Sequence, residues 1–494
     1  MALNLAQARE LADRLTEELN RRTPEAERLG CYYSGDHPLK FASDEFAKFF
    51  AKRYQGFSDN WTQVVADSPV ERLTVTGFKP YGAEKADKDL WRVWMTNGLD
   101  ADSQLAFLDA GVSSRSFALV WNPDNSDTPT VTFEDATQAI VAYRAGSRRE
   151  RVAALKRWQD GDDEYCTLYL PDQVFKFKRA TYQASQKARK SLPLASVDKF
   201  VHEWVLRDIE ETGDQKNPQP NPMGVVPMVE LQNRPRLADD PISDIAGVVS
   251  MQDAINLLWA LTFNGADFAS LAQRVVLGAE MPTTPILNDK GEVIGERPVP
   301  LDKFALDRVL WVPDKDASIA NWPEADLKPF MDVIEVAVGH VAAQTRTPAH
   351  YLIGKMANLS GDALIAAEAG LVKRCEEKQL WYGQALREVF RLIALAKEDE
   401  ATAQAAAAGT VMWADPESRN VAQLTDSLLK LKTIGFPFEF LAARYNLTPT
   451  EIADLMAMRE REAGLDPIGQ LMNGRPELDG PPEEPAPEPD AAEA

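Results

Sequence analysis

The segment spanning residues 239–272 constrains the fold more than any other part of this 494-residue chain. It contains five aspartates and neither lysine nor arginine. Asp240-Pro241 supplies a helix N-cap followed by proline at the first helical position, and no clear helix breaker occurs before about Ala272. The pattern therefore predicts a single helix of roughly 45–50 Å.

Polar and small residues form a narrow stripe along this predicted helix. At about 100° per residue, a stripe of roughly 80° contains Asp253, Asn256, Ala260, Asn264 and Asp267. A second helix is predicted over 326–345, with Pro329 in its first turn, where proline is tolerated. Its own stripe contains Asp332, Glu335, Gly339, Ala342 or Ala343, and Arg346.

Two interpretations of these paired stripes remain open. The pattern alone favours two surface helices with solvated acidic faces. The alternative is a symmetric ring, in which the stripes line a channel and the flanking faces are buried against neighbouring subunits. Closed rings of that kind arise from heterologous interfaces repeated around an axis.

The connection over 347–360 is the second unusual feature. Pro348 and Gly354 prevent the second helix from continuing, and about fourteen residues is longer than most connections. The segment carries Lys355 and follows Arg346 in otherwise acidic surroundings. It is predicted to be functional or mobile, or else to be an ordinary surface loop with an apolar anchor.

The rest of the chain divides into regions with helical and with β-like sequence patterns. Helical patterns come first, with one helix predicted over 3–21 and another beginning at Thr23-Pro24. Short β-like runs, several of them separated by Asp, Asn, Gly and Pro, then predict a mainly antiparallel region over 117–231. A third long helix is expected from Gly361 to about Glu400.

Composition limits which partners the chain can bind and where in the cell it is expected. With 54 basic and 76 acidic residues, the net charge of −22 argues against nucleic-acid binding through overall charge. Three cysteines without a CxxC motif indicate an intracellular protein. No apolar run approaches the ~20 residues of a membrane span, so no membrane association is expected. Residues 475–494 contain six prolines, seven acids and one arginine, and are predicted to be disordered.

Recognisable catalytic motifs are missing from the sequence. Gly354-Lys355 is followed by Met356, so the P-loop pattern fails, and no H-E-x-x-H or G-x-S-x-G motif occurs. We therefore expect no enzyme, no cofactor and no metal site. An undetected nuclease or hydrolase is the alternative, because the aspartates at 239, 240 and 244 could bind Mg²⁺, but a capped helix start explains them more simply.

Several stretches occur in a characteristic order and spacing over roughly residues 3–470. In the first half they are Tyr32-Tyr-Ser-Gly-Asp-His-Pro-Leu39, Asn60-Trp-Thr-Gln-Val-Val-Ala-Asp67, Arg72-Leu-Thr-Val-Thr-Gly-Phe78, Trp94-Met-Thr-Asn-Gly-Leu-Asp100, Asp109-Ala-Gly111 and 117–121. Later they are 223–235, Thr345-Arg-Thr-Pro-Ala-His-Tyr-Leu-Ile-Gly354 and Ser360-Gly-Asp-Ala-Leu364. Together they resemble the portal proteins of tailed double-stranded DNA phages, notably the type found in phages of actinobacteria.

The resemblance implies a mixed α+β portal fold assembled into a ring. It divides the chain into an N-terminal helical arm (1–25), an α/β wing (26–238), two stem helices (239–272 and 326–345) with an inserted α/β clip (273–325), a tunnel loop (346–360), a long wing helix (361–404), a small helical crown (405–470) and a disordered acidic, Pro-rich tail (471–494).

The resemblance also implies a function. Such proteins form a ring, usually of twelve copies, at one capsid vertex, and double-stranded DNA is packaged and ejected through it. The implied partners are further copies of the chain, transiently bound DNA, the terminase large subunit, a head–tail adaptor, and the major capsid and scaffolding proteins. The protein would occur in the virion, and in the host cytoplasm during assembly. A capsid- or scaffold-associated structural protein without a channel is the alternative.

Charge supplies a mechanism for such a channel, because an acidic wall repels phosphates and leaves no deep binding minimum for DNA. The expected channel stripe comprises Asp253, Asn256, Asp267, Asp332 and Glu335, whose four acids in twelve copies would give about 48 carboxylates. The expected DNA-facing residues of the tunnel loop are Arg346, Lys355, Met356 and Asn358. The expected clip contacts with the packaging motor and adaptor are Asp289, Lys290 and Glu292.

Overall fold

The computed structural model of the chain is a mixed helix and sheet protein, as predicted. It describes residues 3–465 apart from 55–56, 124, 182–202, 214–215, 271–273, 279–282, 288–292, 299–308, 313–325, 354–360, 418–420, 446 and 448. The predicted tail, 471–494, lies outside the described residues. Of the helices that can be described, none is long and apolar enough to cross a bilayer.

Helices dominate both ends of the described chain. Those before residue 114 are α1 (Leu5–Ser34), α2 (Asp44–Arg53), α3 (Trp61–Val70), α4 (Lys88–Thr96) and α5 (Leu99–Ser113). The short α6 (Ile209–Thr212) precedes the two candidate stem helices, α7 (Val249–Ser270) and α8 (Lys328–Thr345). The remaining helices are α9 (Ala349–Ile353), α10 (Gly361–Ala396), α11 (Glu400–Ala407), α12 (Val421–Thr433), α13 (Phe438–Arg444) and α14 (Pro449–Leu465).

The strands between α5 and α7 pair antiparallel, as predicted. One sheet contains β4 (Ala139–Tyr143), β5 (Arg151–Asp160), β6 (Asp163–Tyr169), β7 (Gln173–Ala180) and β8 (Val205–Leu206), with β9 (Gln219–Pro220) beside β7. A second sheet has the order β10 (Met228–Gln232), β2 (Arg115–Trp121), β3 (Thr130–Glu134).

Smaller pairs of strands complete the sheets. β1 (Val75–Lys79) pairs antiparallel with β15 (Thr410–Trp413). Between α7 and α8, β11 (Arg274–Leu277) pairs parallel with β14 (Val309–Val312), and β12 (Thr283–Leu287) pairs antiparallel with β13 (Val293–Pro298).

The largest hydrophobic core surrounds α10. Phe390 stacks on Phe78 and Trp94, with ring centroids 4.3 and 5.3 Å apart, and all three side chains are fully buried. Burying one such side chain contributes roughly 1.5–3 kcal/mol. α10 is therefore the element on which the surrounding helices and sheets are assembled.

α1 is a single helix, which corrects the predicted break at Thr23-Pro24. Thr23 donates its hydroxyl to the Leu19 carbonyl at 2.8 Å, so Thr23 does not cap a new helix. The half before Pro24 packs on the six-stranded sheet through residues such as Leu19, and the half after it packs on α3 through Leu29. Packing on both sides of Pro24 overrides the local preference of the sequence for a helix start.

α7 begins at Val249, after a 3₁₀ turn at Ala246–Val248, and not at Asp240 as predicted. The backbone before it is bonded elsewhere. Asp244 donates its N–H to the Gly111 carbonyl at 2.8 Å, and Ile242 donates its N–H to the Asn233 carbonyl at 3.2 Å. These bonds tie the segment to the ends of α5 and β10, and α7 is about 33 Å long as a result.

Candidate functional site

The two candidate stem helices, α7 and α8, pack on each other and share one hydrophobic core. Ile255 of α7 and Ile334, Val338 and Val341 of α8 are all at most 5% exposed. Leu29 at the end of α1 belongs to the same core. The paired helices therefore pack on the C-terminal half of α1, and each helix can present to solvent only the faces that this core leaves uncovered.

The polar stripe of α7 faces its own subunit, and Asp253 shows this most clearly. Asp253 is 3% exposed, and Tyr32 of α1 donates its hydroxyl to the carboxylate at 2.6 Å. Lys40 lies 3.7 Å from the same carboxylate. Burial, together with the bond to Asp253, raises the pKa of Tyr32. This placement departs from the expected channel stripe, since an enclosed carboxylate presents no charge to a bore.

The other two predicted stripe residues of α7 are also engaged inside the subunit. The Asn256 side chain accepts from Gln252 at 2.9 Å and lies 3.1 Å from His37 Nδ1. Asp267 accepts from the Tyr54 hydroxyl at 2.5 Å and pairs with Arg53 at 2.7 Å. The predicted polar residues do share one face of α7, but this face contacts the segments around α2.

α8 presents the opposite case, because Asp332 and Glu335 are exposed. They lie in the middle of an exposed arc, with Met331 on one flank and Val333 and Val336 on the other. These three apolar side chains are 41%, 52% and 58% exposed. The outward face of α8 is therefore an acidic stripe bordered on both sides by apolar surface.

Arg346 ends α8 in the left-handed conformation, with φ of 53°. Its N–H caps the helix by donating to the Ala342 and Ala343 carbonyls. Its guanidinium, about half exposed, lies 3.2 Å from Glu377 of α10. A Cβ on Gly370 would lie 3.4 Å from Cβ of Arg346, so α10 approaches this turn closely. Arg346 thus joins the end of α8 to α10.

The remaining predicted site residues lie outside the described residues. They are Lys355, Met356 and Asn358 of the predicted tunnel loop, and Asp289, Lys290 and Glu292 of the predicted clip. Their expected roles remain predictions.

A buried charge cluster at the base of both stem helices was not predicted. Asp244 and Lys378 are 5% and 0% exposed, and Lys378 Nζ lies 2.6 Å from both the Asp244 carboxylate and the Asn233 side-chain oxygen. Arg374 lies 3.1 Å from Asp244 and donates to the Thr345 carbonyl at the end of α8. A Cβ on Gly111 would lie 3.3 Å from the Asp244 carboxylate, so the network is enclosed on the side of α5 as well.

Electrostatics keeps Asp244 ionised in this network. Burial alone would raise the pKa of Asp244, but Lys378 and Arg374 outweigh it and hold the pKa at about 2. Burial lowers the pKa of Lys378 despite the attraction of Asp244. Removing one partner of such a buried pair is costly, because the other is left uncompensated. The cluster therefore fixes the segment before α7, the end of α8 and α10 to one another.

One signal in the sequence could have revealed this cluster. Arg374 and Lys378 are spaced four residues apart on α10, on the same face as the buried Leu371, Cys375 and Tyr382. Cations within an apolar helical stripe are rarely buried unless they are paired. The pattern predicts a buried acidic partner, although not its identity.

The aspartates of the alternative Mg²⁺ site do not converge. Asp239 pairs with Arg236 at 2.5 Å, Asp240 pairs with Arg115 at 2.8 Å, and Asp244 pairs with Lys378. Among the residues that the structure describes, no group of three or more His, Cys, Asp or Glu side chains is arranged to hold a metal ion.

Comparison with known proteins identifies the family. The family model described as phage portal protein, SPP1 Gp6-like, matches residues 12–463. The chain therefore belongs to this portal protein family, as the sequence resemblance predicted, and members of the family are structural proteins of the phage particle.

Two curated relatives are portal proteins of mycobacteriophages. The portal protein of Mycobacterium phage D29 is 28% identical over 440 residues, covering 85% of this chain and 83% of that protein. The portal protein of Mycobacterium phage L5 is 27% identical over 445 residues, covering 86% and 84%.

A solved structure, the neck of an empty GTA particle computed with C6 symmetry, was also matched. The identity is 11% and the TM-score is 0.37, with coverage of 83% of this chain and 95% of that chain. A likeness at this level carries no argument about the details of the fold.

Proposed function

We propose that this chain is the subunit of a ring, of about twelve copies, that forms the DNA channel at one capsid vertex. The family match over 12–463 supports a portal role. The observation that carries the channel is the outward face of α8, where Asp332 and Glu335 lie between exposed apolar flanks. Apolar flanks on both sides of an acidic stripe suit a helix with neighbours on both sides and an opening in front.

The acidic wall of this proposed channel contains fewer acidic residues per subunit than the sequence pattern indicated. Asp253 and Asp267 are engaged within the subunit, which leaves α8 as the helix that supplies the charge. Twelve copies of Asp332 and Glu335 give about 24 carboxylates, still a strong field of one sign. Such a wall lets a duplex slide because it offers phosphates no deep binding minimum.

The remaining roles follow from the portal assignment and are part of the same proposal. The region between α7 and α8 would meet the terminase large subunit during packaging and a head–tail adaptor afterwards. The outer sheets and α10 would face the major capsid and scaffolding proteins. Arg346, with Lys355, Met356 and Asn358, would make weak, sequence-independent contacts with the DNA. The ring would assemble in the host cytoplasm and remain in the virion.

Electron microscopy of the purified chain tests the ring directly. We expect closed rings of twelve or close to twelve copies with a central opening, and α8 lining that opening. A preparation containing only monomers or dimers at high concentration would refute the proposal, as would rings in which α8 lies far from the opening.

Charge removal on α8 tests the channel wall separately. Rings of the double variant Asp332→Asn, Glu335→Gln should still assemble but bind duplex DNA roughly tenfold or more tightly at low salt, because repulsion is lost. The matched control Asp44→Asn, Glu45→Gln removes two exposed acids from α2 and should leave DNA binding unchanged. Equal effects in the two variants would contradict a wall formed by α8.

A further inference from the structure

A large groove lies away from the stem helices, between β10, α10 and the turn that joins β4 to β5. Its volume is about 1010 Å³. That is at the upper limit of the roughly 300–1,000 Å³ typical of small-molecule pockets, so the groove suits an extended peptide segment. It is open to solvent along one side.

Arginines dominate the polar lining of this groove. Arg148, Arg149, Arg151, Arg387 and Arg391 all contribute, against the glutamates at 150, 230 and 388. The glutamates are already engaged. Glu388 forms ion pairs with both Arg151, at 2.5 Å, and Arg391, at 2.7 Å. Glu150 pairs with Arg144, and Glu230 pairs with Arg115 behind the groove.

Two of these arginines leave positive charge in excess. Across the described part of the chain, no carboxylate forms an ion pair with Arg149 or Arg387, and the buried Nε of Arg387 has no hydrogen-bond partner. Because a buried donor without a partner is costly, Arg387 is a position where an acceptor from outside the described residues would be stabilising. The excess positive charge therefore suits the groove to bind carboxylates.

Apolar surface accompanies this charge. Trp381 and Val225 lie partly exposed in the lining, and Leu237 at the groove is 89% exposed. Exposed aromatic side chains bind proline-rich segments, whose extended polyproline conformation needs little ordering. A ligand that combines prolines with carboxylates would satisfy both parts of the lining.

The chain itself contains such a segment. Residues 475–494 carry seven acids and six prolines against one arginine, including the run Pro481-Pro-Glu-Glu-Pro-Ala-Pro-Glu-Pro-Asp490. Residues 466–474 separate the end of α14 at Leu465 from this segment, and they can span roughly 30 Å when extended. We propose that the acidic, Pro-rich segment 475–494 of this chain docks in the arginine groove. The proposal depends on the groove and the segment, and not on the channel.

Photo-crosslinking in the full-length chain tests this docking. Gln384 is exposed and lines the groove, so benzoylphenylalanine at this position should crosslink to peptides from 475–494, identified by mass spectrometry. The same probe at Leu105, which is 65% exposed and outside the groove lining, should not. The crosslink should fall roughly fivefold or more at high salt, because screening weakens exposed charge pairs.

Charge variants make the test decisive. Replacing the seven acids of 475–494 by their amides, or introducing Arg149→Glu with Arg387→Glu, should each reduce the Gln384 crosslink to the level of the Leu105 control. Circular dichroism is the check that the variants are folded. Crosslinks from Gln384 to DNA or to another part of the chain, in place of 475–494, would overturn the proposal. So would crosslinks to 475–494 that persist unchanged in both charge variants.

Discussion

α7 and α8 carry the same kind of stripe in sequence and use it in opposite ways. On α7, the carboxylates of Asp253 and Asp267 bind tyrosines of α1 and of the end of α2. On α8, Asp332 and Glu335 stay exposed. The difference arises because Tyr32, Lys40, Arg53 and Tyr54 contact the acids of α7, whereas the outward face of α8 is exposed. What a carboxylate does is therefore decided by its partners more than by its position in a helical pattern.

The largest expected effect is at the buried cluster that fixes the bases of both helices. Lys378→Ala leaves Asp244 buried without its nearest cation, and should lower the free energy of unfolding by roughly 3–5 kcal/mol. Urea denaturation followed by circular dichroism measures this. The control Lys373→Ala removes an exposed lysine of the same helix, and should change stability by less than about 1 kcal/mol.

The pH dependence of this effect has a defined direction. Because the pKa of Asp244 is held at about 2 in the fold, its stabilisation is present above the unfolded pKa of about 3.9 and is lost as the pH falls toward 2. In Lys378→Ala, burial without this cation raises the pKa of Asp244, so the stability difference between wild type and variant should shrink as the pH falls through that raised pKa toward 2. A difference that stays constant from neutral pH to about pH 3 would show that Lys378 does not hold Asp244 in its ionised form.

A direct comparison of the two stripes gives a smaller effect. Asp253→Ala leaves the buried Tyr32 hydroxyl without an acceptor and should cost roughly 1–3 kcal/mol. Asp332→Ala, on the exposed stripe, should stay within about 0.5 kcal/mol in the isolated subunit. Adding Tyr32→Phe to Asp253→Ala should recover part of the loss, since both polar partners are then removed. Equal costs at Asp253 and Asp332 would mean that the two stripes do not differ as the structure shows.

A third carboxylate sharpens the comparison, because Asp109 of α5 is largely enclosed and pairs with no cation among the residues that the structure describes. Burial, with Asp135 nearby, raises the pKa of Asp109 to about 7. The folded chain then binds an extra proton between about pH 4 and pH 7, so stability falls as the pH rises through this window. The loss is about 1 kcal/mol between pH 6 and pH 7.

Asp109→Asn should abolish that pH dependence. An amide can keep both partners, because its oxygen can accept from the Ala136 N–H and its NH2 can donate to the Ser113 hydroxyl oxygen, which lie 3.2 and 3.1 Å from the Asp109 carboxylate. Chemical denaturation at a series of pH values should show wild type losing stability relative to the variant between about pH 4 and pH 7, with little further change above this window. Parallel profiles for the two proteins would show that Asp109 ionises normally.

The sequence predicted elements well where one local signal decided the outcome. The second stem helix was predicted over 326–345 and is observed as Lys328–Thr345, with Pro329 in its first turn as expected. The third long helix begins at Gly361, as predicted, and ends at Ala396. In these cases proline, glycine and hydrophobic periodicity agree, and tertiary contacts reinforce them.

Prediction was wrong where distant residues decide the backbone. None of the β-like runs from which the antiparallel region 117–231 was predicted covers the strand Arg151–Asp160. Its Ala-Ala-Leu-Lys-Arg core favours a helix, and only pairing with β4 and β6 makes it a strand. The start of α7 was misplaced because Asp240 and Asp244 bind Arg115 and Lys378 rather than cap a helix. In the candidate site, helical periodicity identified the stripes, but it could not show that Tyr32 and Tyr54 would occupy one of them.

The unbroken course of α1 through Pro24 has a mechanical consequence. One half of this helix packs on the six-stranded sheet, and the other half belongs to the core that α7 and α8 share. Thirty residues make a rod of about 45 Å, so tilting the rod about one end by five degrees would displace the other end by something on the order of 4 Å. A displacement of the six-stranded sheet would thus be transmitted by α1 to the core of α7 and α8.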